Sequence, residues 1–250
     1  MTGERRGSVG RMARFALRRA TVKALSSLFY PVSLLIPSPF GGRIERILIA
    51  PQDLRTSDPT AAGDIYSGYF AFAGKVLATE GQSPFLVTPP SRAWSETLHG
   101  FGWLRDIRAA DTALSRANAR TLVDDWIKIA GRPNGTSAWA LPVVARRLMS
   151  WISHSPLILD GADRAFYRRF MLSIRRQARF LWRQSRRFDE TSHRLDSAMA
   201  LTAVALCTNL SLSRKRRVVN HLNRQLQKEI LADGGHISRN PQALIDLLAD

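Results

Sequence analysis

The residues of this 250-residue chain that could do chemistry are few, and the corner "DGGHISRNP" at 233–241 is the most pointed of them. It sets an imidazole, His236, and a guanidinium, Arg239, on a Gly-Gly turn that follows an apolar-periodic segment. Such cations suit the C-terminal carbonyls of the preceding helix, where they cap and complement its dipole. They equally suit an anion presented to the turn. The other histidines, His99, His154, His193 and His221, are scattered without metal-ligand spacing, so no metal is expected. Walker loops, dinucleotide fingerprints, HExxH and GxSxG are all missing, and no cofactor is expected either. The single cysteine, Cys207, lies in the run "AMALTAVALC" and reads as a buried small hydrophobe.

Charge narrows the partners. A formal net charge of +17 with 45% hydrophobic residues describes a chain that can bury a sizeable core yet carries a strongly basic surface. Nucleic acid, anionic lipid and acidic polysaccharide are the polyanions to weigh. The segment 164–187 interleaves Phe166, Tyr167, Phe170, Phe180 and Trp182 with arginines and can grip phosphates. Its aromatics fall at helical spacing, however, and no recognition-helix, RNP or zinc-finger signature accompanies them, which makes nucleic acid the lesser reading.

The elements that must position these groups are helices. Residues 1–43 read as a basic amphipathic leader, with Arg11, Arg14 and Arg18 on one face and Phe15, Val22, Leu25 and Phe29 on another. Residues 11–29 thus suit an anionic membrane surface, or a solvated leader that docks by its apolar stripe. Lys23, Pro31, Pro37 and Pro39 interrupt the apolar run, so neither a transmembrane helix nor a cleavable signal is expected. "RILIA" reads as a short strand or extended segment, and "GDIYSGYFAFAGKVLA" as a helix presenting Ile65, Tyr69, Phe70 and Val76. Gly100 and Gly102 mark a break in the following helical stretch. Thr112 is placed to cap a helix striped by Leu122, Val123, Trp126 and Ile127, which Gly131 stops. Further helices follow over "VVARRLMSWISH", 164–187, "SHRLDSAMALTAVALCTNL" and "SRKRRVVNHLNRQLQKEILADGG", the last aligned by Leu222, Leu226 and Ile230. Their short connections predict an all-α array of antiparallel helical hairpins over 44–250, bundled or curved into a toroid.

Four fragments in order, "FGWLRDIRAA", "SAWALPVVARRLMSWISHSPLIL", "SHRLDSAMALTAVAL" and "EILADGGHISRNPQALIDLLAD", resemble the N-terminal helical part of the heparinase II/III family of polysaccharide lyases. The resemblance covers roughly residues 100–250, with "DGGHISRNP" its most specific piece and the Trp139, Pro142, Arg147 and Trp151 pattern second. It implies an incomplete α/α toroid, followed in the family by a β-sandwich domain, with an acidic glycan held in a cleft between the two. Because the sequence stops at Asp250, the helical domain is expected to be truncated and without that sandwich.

The family's reaction is β-elimination on a uronate. A base removes the proton beside the carboxylate, an acid protonates the leaving oxygen, and polar donors neutralise the carboxylate. The resemblance assigns His193 and His236 to catalysis and Ser192, Arg239, Arg147, Trp139 and Trp151 to substrate binding or its support. Two departures stand out: Ser192 replaces the family's carboxylate-neutralising Asn, and Ala243 and Leu244 replace the acid/base Tyr and its neighbouring His. Alanine transfers no proton. A non-catalytic binder of acidic polysaccharide is therefore carried beside the lyase reading, with a basic nucleic-acid or membrane-surface protein as a third.

Overall fold

A computed structural model of the chain describes residues 37–185, 194–237 and 240–241, and the leader segment 11–29 lies outside them. The architecture is all-α apart from one small hairpin. Its helices are α1 (Thr60–Tyr66), α2 (Arg92–Gly100), α3 (Leu104–Ala110), α4 (Ala113–Ile129), α5 (Leu141–Ser153), α6 (Ser155–Leu159), α7 (Arg164–Gln184), α8 (Arg194–Cys207) and α9 (Leu212–Glu229). The most apolar of the long helices, α8, packs against α5, α7 and α9, while α4 packs against α6 and α7. Leu195, Leu201 and Val204 of α8 are buried. Each such side chain contributes about 1.5–3 kcal/mol by leaving water.

Local chemistry explains most boundaries. Thr112 caps α4 by accepting from Ser115 N at 3.0 Å, and the Ser115 hydroxyl oxygen accepts from Thr112 N at 2.9 Å, a reciprocal box. Thr112→Ala should lower the unfolding free energy by about 1 kcal/mol in a urea titration; an unchanged midpoint would show that solvent replaces the cap. Gly131 follows the Ala130 cap, where an added Cβ would overlap the Ile127 carbonyl oxygen, so the position suits glycine. Phe101 takes a left-handed φ of 59° between α2 and α3, at the break marked by Gly100 and Gly102. Pro156 lies just beyond the end of α5 at Ser153. It sits in the first turn of α6, where its missing N–H costs nothing.

Two expectations are corrected. "GDIYSGYFAFAGKVLA" is not one helix: it is the end of α1 followed by strands β1 (Tyr69–Phe72) and β2 (Lys75–Ala78), antiparallel with Phe72 opposite Lys75. Ala73 and Gly74 both have positive φ, 49° and 73°, the two-residue turn whose twist matches a hairpin. The second correction concerns α9, whose buried face is Val218, His221, Gln225 and Glu229, while Leu226 is 37% exposed. "RILIA" is extended, tied to the end of α8 by Leu48 N to Cys207 O at 2.7 Å and by an Ile47–Thr208 bridge.

The core is aromatic at its centre. Trp151 meets Trp126 edge-on at 5.4 Å, meets Phe101 edge-on at 5.3 Å and stacks on Phe170 at 5.2 Å. Cys207 is buried, as its apolar run implied. No described helix is long and apolar enough to cross a membrane.

Candidate functional site

The corner at 233–237 is built by its own backbone. Gly234 adopts φ +79°, Gly235 N donates to Asp233 Oδ1 at 3.0 Å, and Leu231 N donates to Gly235 O at 2.8 Å. The chain thereby doubles back on the last turn of α9. Ile237 N reaches Glu229 O at 2.8 Å, and Ile230 and His236 form an antiparallel bridge. His236 is thus laid over Glu229, with Nε2 and Oε2 3.4 Å apart and both residues more than nine-tenths buried.

Glu229 is the residue that sequence reasoning missed. Burial pushes its carboxyl above the usual range, the His236 imidazole opposes this, nearby Asp196 adds to the rise and Arg194 counters it. The last two belong to the first turn of α8, directly after "SH" in "SHRLD". Two of the four fragments that carry the lyase resemblance are therefore brought to one place: Arg194 and Asp196 from one, Glu229 and His236 from the other.

A polar stripe runs back from this point along α9, with Gln225 one turn earlier and His221 two turns earlier. Gln225 Oε1 and Glu229 Oε1 are buried without a hydrogen-bond partner among the described residues. Buried acceptors in this state cost about 1–3 kcal/mol each, a cost a ligand donor would relieve. The signal was present in the sequence as His221, Gln225 and Glu229 at i, i+4, i+8, but the neighbouring leucines offered a competing stripe.

Trp139, Arg147 and Trp151 fall elsewhere. Arg147 is fully buried, its guanidinium 4.0 Å above the Trp126 ring, donating to Gln177 Oε1 at 2.7 Å, His99 O at 2.8 Å and Ala138 O at 2.9 Å. Burial holds it below the ordinary guanidinium range. Trp151 is likewise fully buried, so neither side chain presents surface to a ligand here. Trp139 donates from Nε1 to Ala130 O at 2.8 Å and borders an open groove of about 690 Å³ with Arg92, Thr136, Leu141, Phe180 and Gln184. Ser192, His193 and Arg239 lie outside the described residues, as do Ala243 and Leu244. Among the described residues no cluster of three His, Cys, Asp or Glu could hold a metal ion.

Comparison with known proteins completes the description. No family profile matches the chain. FtsZ-localized protein C of Caulobacter vibrioides is 30% identical over 210 residues, covering 83% of this chain and 36% of that protein, so the chain spans about a third of the relative's length. Among solved structures, a mutant of the heparan sulfate lyase HepC from Pedobacter heparinus superposes with a TM-score of 0.60 at 17% identity, over 97% of this chain and 40% of the lyase. At that identity the likeness speaks to architecture alone, and the chain has a helix-rich, polysaccharide-lyase-like fold.

Proposed function

We propose that the chain binds a carboxylate-bearing polysaccharide where the start of α8 meets the end of α9 and the 233–237 turn. The observation that carries this reading is the convergence of Arg194, Asp196, Glu229 and His236 from the two lyase-like fragments. Arg194 supplies a cationic donor and His236 an imidazole, and Glu229, with its raised pKa, can donate a proton to a sugar oxygen rather than repel a carboxylate. The excess positive charge concentrates a polyanion near the surface. Binding is the primary activity in this reading. β-Elimination is expected only if His193 or His236 takes over the proton transfer that Ala243 cannot perform.

The test is a panel of uronate polysaccharides, read in parallel for binding and for ultraviolet absorbance of unsaturated product. Saturable binding that His236→Ala weakens by about fivefold to tenfold, roughly 1–1.4 kcal/mol, supports the site. Binding that His236→Ala leaves unchanged removes it. Product formation that disappears in His193→Ala or His236→Ala extends the reading to lyase chemistry.

A second reading rests on the sequence relative. Identity to the FtsZ-localized protein, 30%, exceeds that to the lyase, 17%, and the acid/base tyrosine is replaced here. In this reading the lyase-like helices serve as a non-catalytic binding scaffold at assemblies containing FtsZ. Co-sedimentation with FtsZ polymers at physiological salt supports it, and absence from the pellet removes it.

A further inference from the structure

A cavity of about 250 Å³ lies between the loop 84–89, α2, the end of α4 and the segment 134–138. That is just below the roughly 300–1,000 Å³ of pockets for drug-sized ligands, so it suits a compact molecule with one ring or a short chain. Pro84, Phe85, Val87, Leu98 and Ile129 give it apolar walls. It shares no residue with the α8–α9 site.

His99 supplies the polar edge. Its Nδ1 accepts from Trp126 Nε1, so the neutral ring carries its proton on Nε2. Among the described residues that N–H has no acceptor, and the partly buried ring lines the cavity. Phe85 stacks on the imidazole with centroids 5.6 Å apart, covering one face and leaving a ligand to meet the ring edge. Asn134 adds a second donor on the same cavity. Its Oδ1 accepts from Thr136 N at 3.3 Å and from Thr136 Oγ1 at 2.7 Å, which leaves its amide nitrogen uncommitted.

Behind this wall stands a charge without a counter-charge. Arg147 Nη1 donates to the carbonyls of His99 and Ala138, two residues that line the cavity. Its Nη2 is buried without a hydrogen-bond partner, and the one side chain it bonds among the described residues is the neutral Gln177. A guanidinium enclosed with no carboxylate beside it is costly, and the field of such a charge carries far in a low-dielectric interior. An anion held in the cavity would offset that cost without touching the arginine.

We propose that the cavity binds a small monocarboxylate with a compact apolar body, such as an aromatic acid, whose carboxylate accepts from His99 Nε2 and Asn134 Nδ2. The apolar walls select the body, and the Arg147 charge selects an acid over a neutral amide of the same shape. Two N–H donors match the two oxygens of one carboxylate.

The experiment titrates the full chain calorimetrically at pH 7 with benzoate, benzamide and acetate, with chloride holding ionic strength constant. Saturable binding of benzoate is expected, with benzamide at least about tenfold weaker for want of the charge and acetate without saturation for want of the ring. His99→Gln, which still accepts from Trp126, should weaken benzoate about tenfold, and Val87→Trp, which fills the cavity from its loop side, should abolish binding. Arg164→Ala on the surface of α7 should leave it unchanged. In the wild type, benzoate should also shift the His99 Nε2 resonance in nitrogen-15 spectra. Absence of saturable benzoate binding overturns the proposal. So does equal binding of benzamide, or benzoate binding that both His99→Gln and Val87→Trp retain in full.

Discussion

Arg147→Ala is expected to lower the unfolding free energy by about 3–5 kcal/mol, read from urea titrations at pH 7. The substitution strands three buried acceptors at once: Gln177 Oε1 and the carbonyls of His99 and Ala138. It also removes the plane that covers Trp126 and leaves a void beside the aromatic centre. Arg147→Lys should recover little of the loss, because an ammonium neither spans three divergent acceptors nor stacks as a flat cation. Arg146→Ala, on the exposed side of the same helix, should fall within about 0.5 kcal/mol of the wild type. A loss below about 1 kcal/mol for Arg147→Ala would mean that water reaches the stranded acceptors, and the sealed aromatic core described above would be wrong.

Acidification should cost a further 2–3 kcal/mol, roughly, through His99 alone. Burial first, and Arg147 second, lower its pKa from 6.5 to about 4. Its Nδ1 accepts a hydrogen bond from Trp126 Nε1 at 3.0 Å, a bond that requires that nitrogen to stay deprotonated. The folded chain therefore keeps the imidazole neutral where the unfolded chain protonates it. Stability from this group is fully present above pH 6.5, declines as pH falls, and is gone below about pH 4. His154, also lowered by burial, acts in the same direction, whereas Asp106 and Glu229, whose carboxyls burial raises, act in the opposite one. His99→Gln isolates the contribution, since glutamine can still accept from Trp126. The stability difference between wild type and His99→Gln should shrink by about 2–3 kcal/mol from pH 7 to pH 4. A difference independent of pH would rule out a buried neutral imidazole at this position.

Helix existence was largely legible because α4 and α7 carry one uninterrupted apolar stripe each, and nothing in their sequences competes with it. Leu122, Val123 and Trp126 are buried as their spacing required, and so are Phe166, Phe170, Ile174 and Leu181. The hairpin at 69–78 was misread because Ile65, Tyr69, Phe70 and Val76 fit a helical period nearly as well as a strand period. The positive φ at Ala73, which decides the matter, leaves no trace in the residue type. For the proposed site, the turn was legible and the pairing was not. "DGGH" announced a turn, but the partner it meets, Glu229, sits on a face that reads as solvent-exposed when polarity alone is scored. Arg147 shows the converse, since an arginine inside "VARRLMSW" is indistinguishable by type from its exposed neighbour Arg146.

The inward face of α9 has one more consequence, for the order in which the protein comes apart. Val218 is the only apolar residue among the four that α9 buries, the others being His221, Gln225 and Glu229. Polar contacts of that kind exchange readily for water, so α9's own side chains add little hydrophobic burial to its hold on the array. Amide hydrogens of α9 should then exchange through local opening rather than global unfolding. A polyanion gathered at the end of this helix would fasten it to the array, coupling occupancy to the slow motions of the whole helix rather than to the side chains alone.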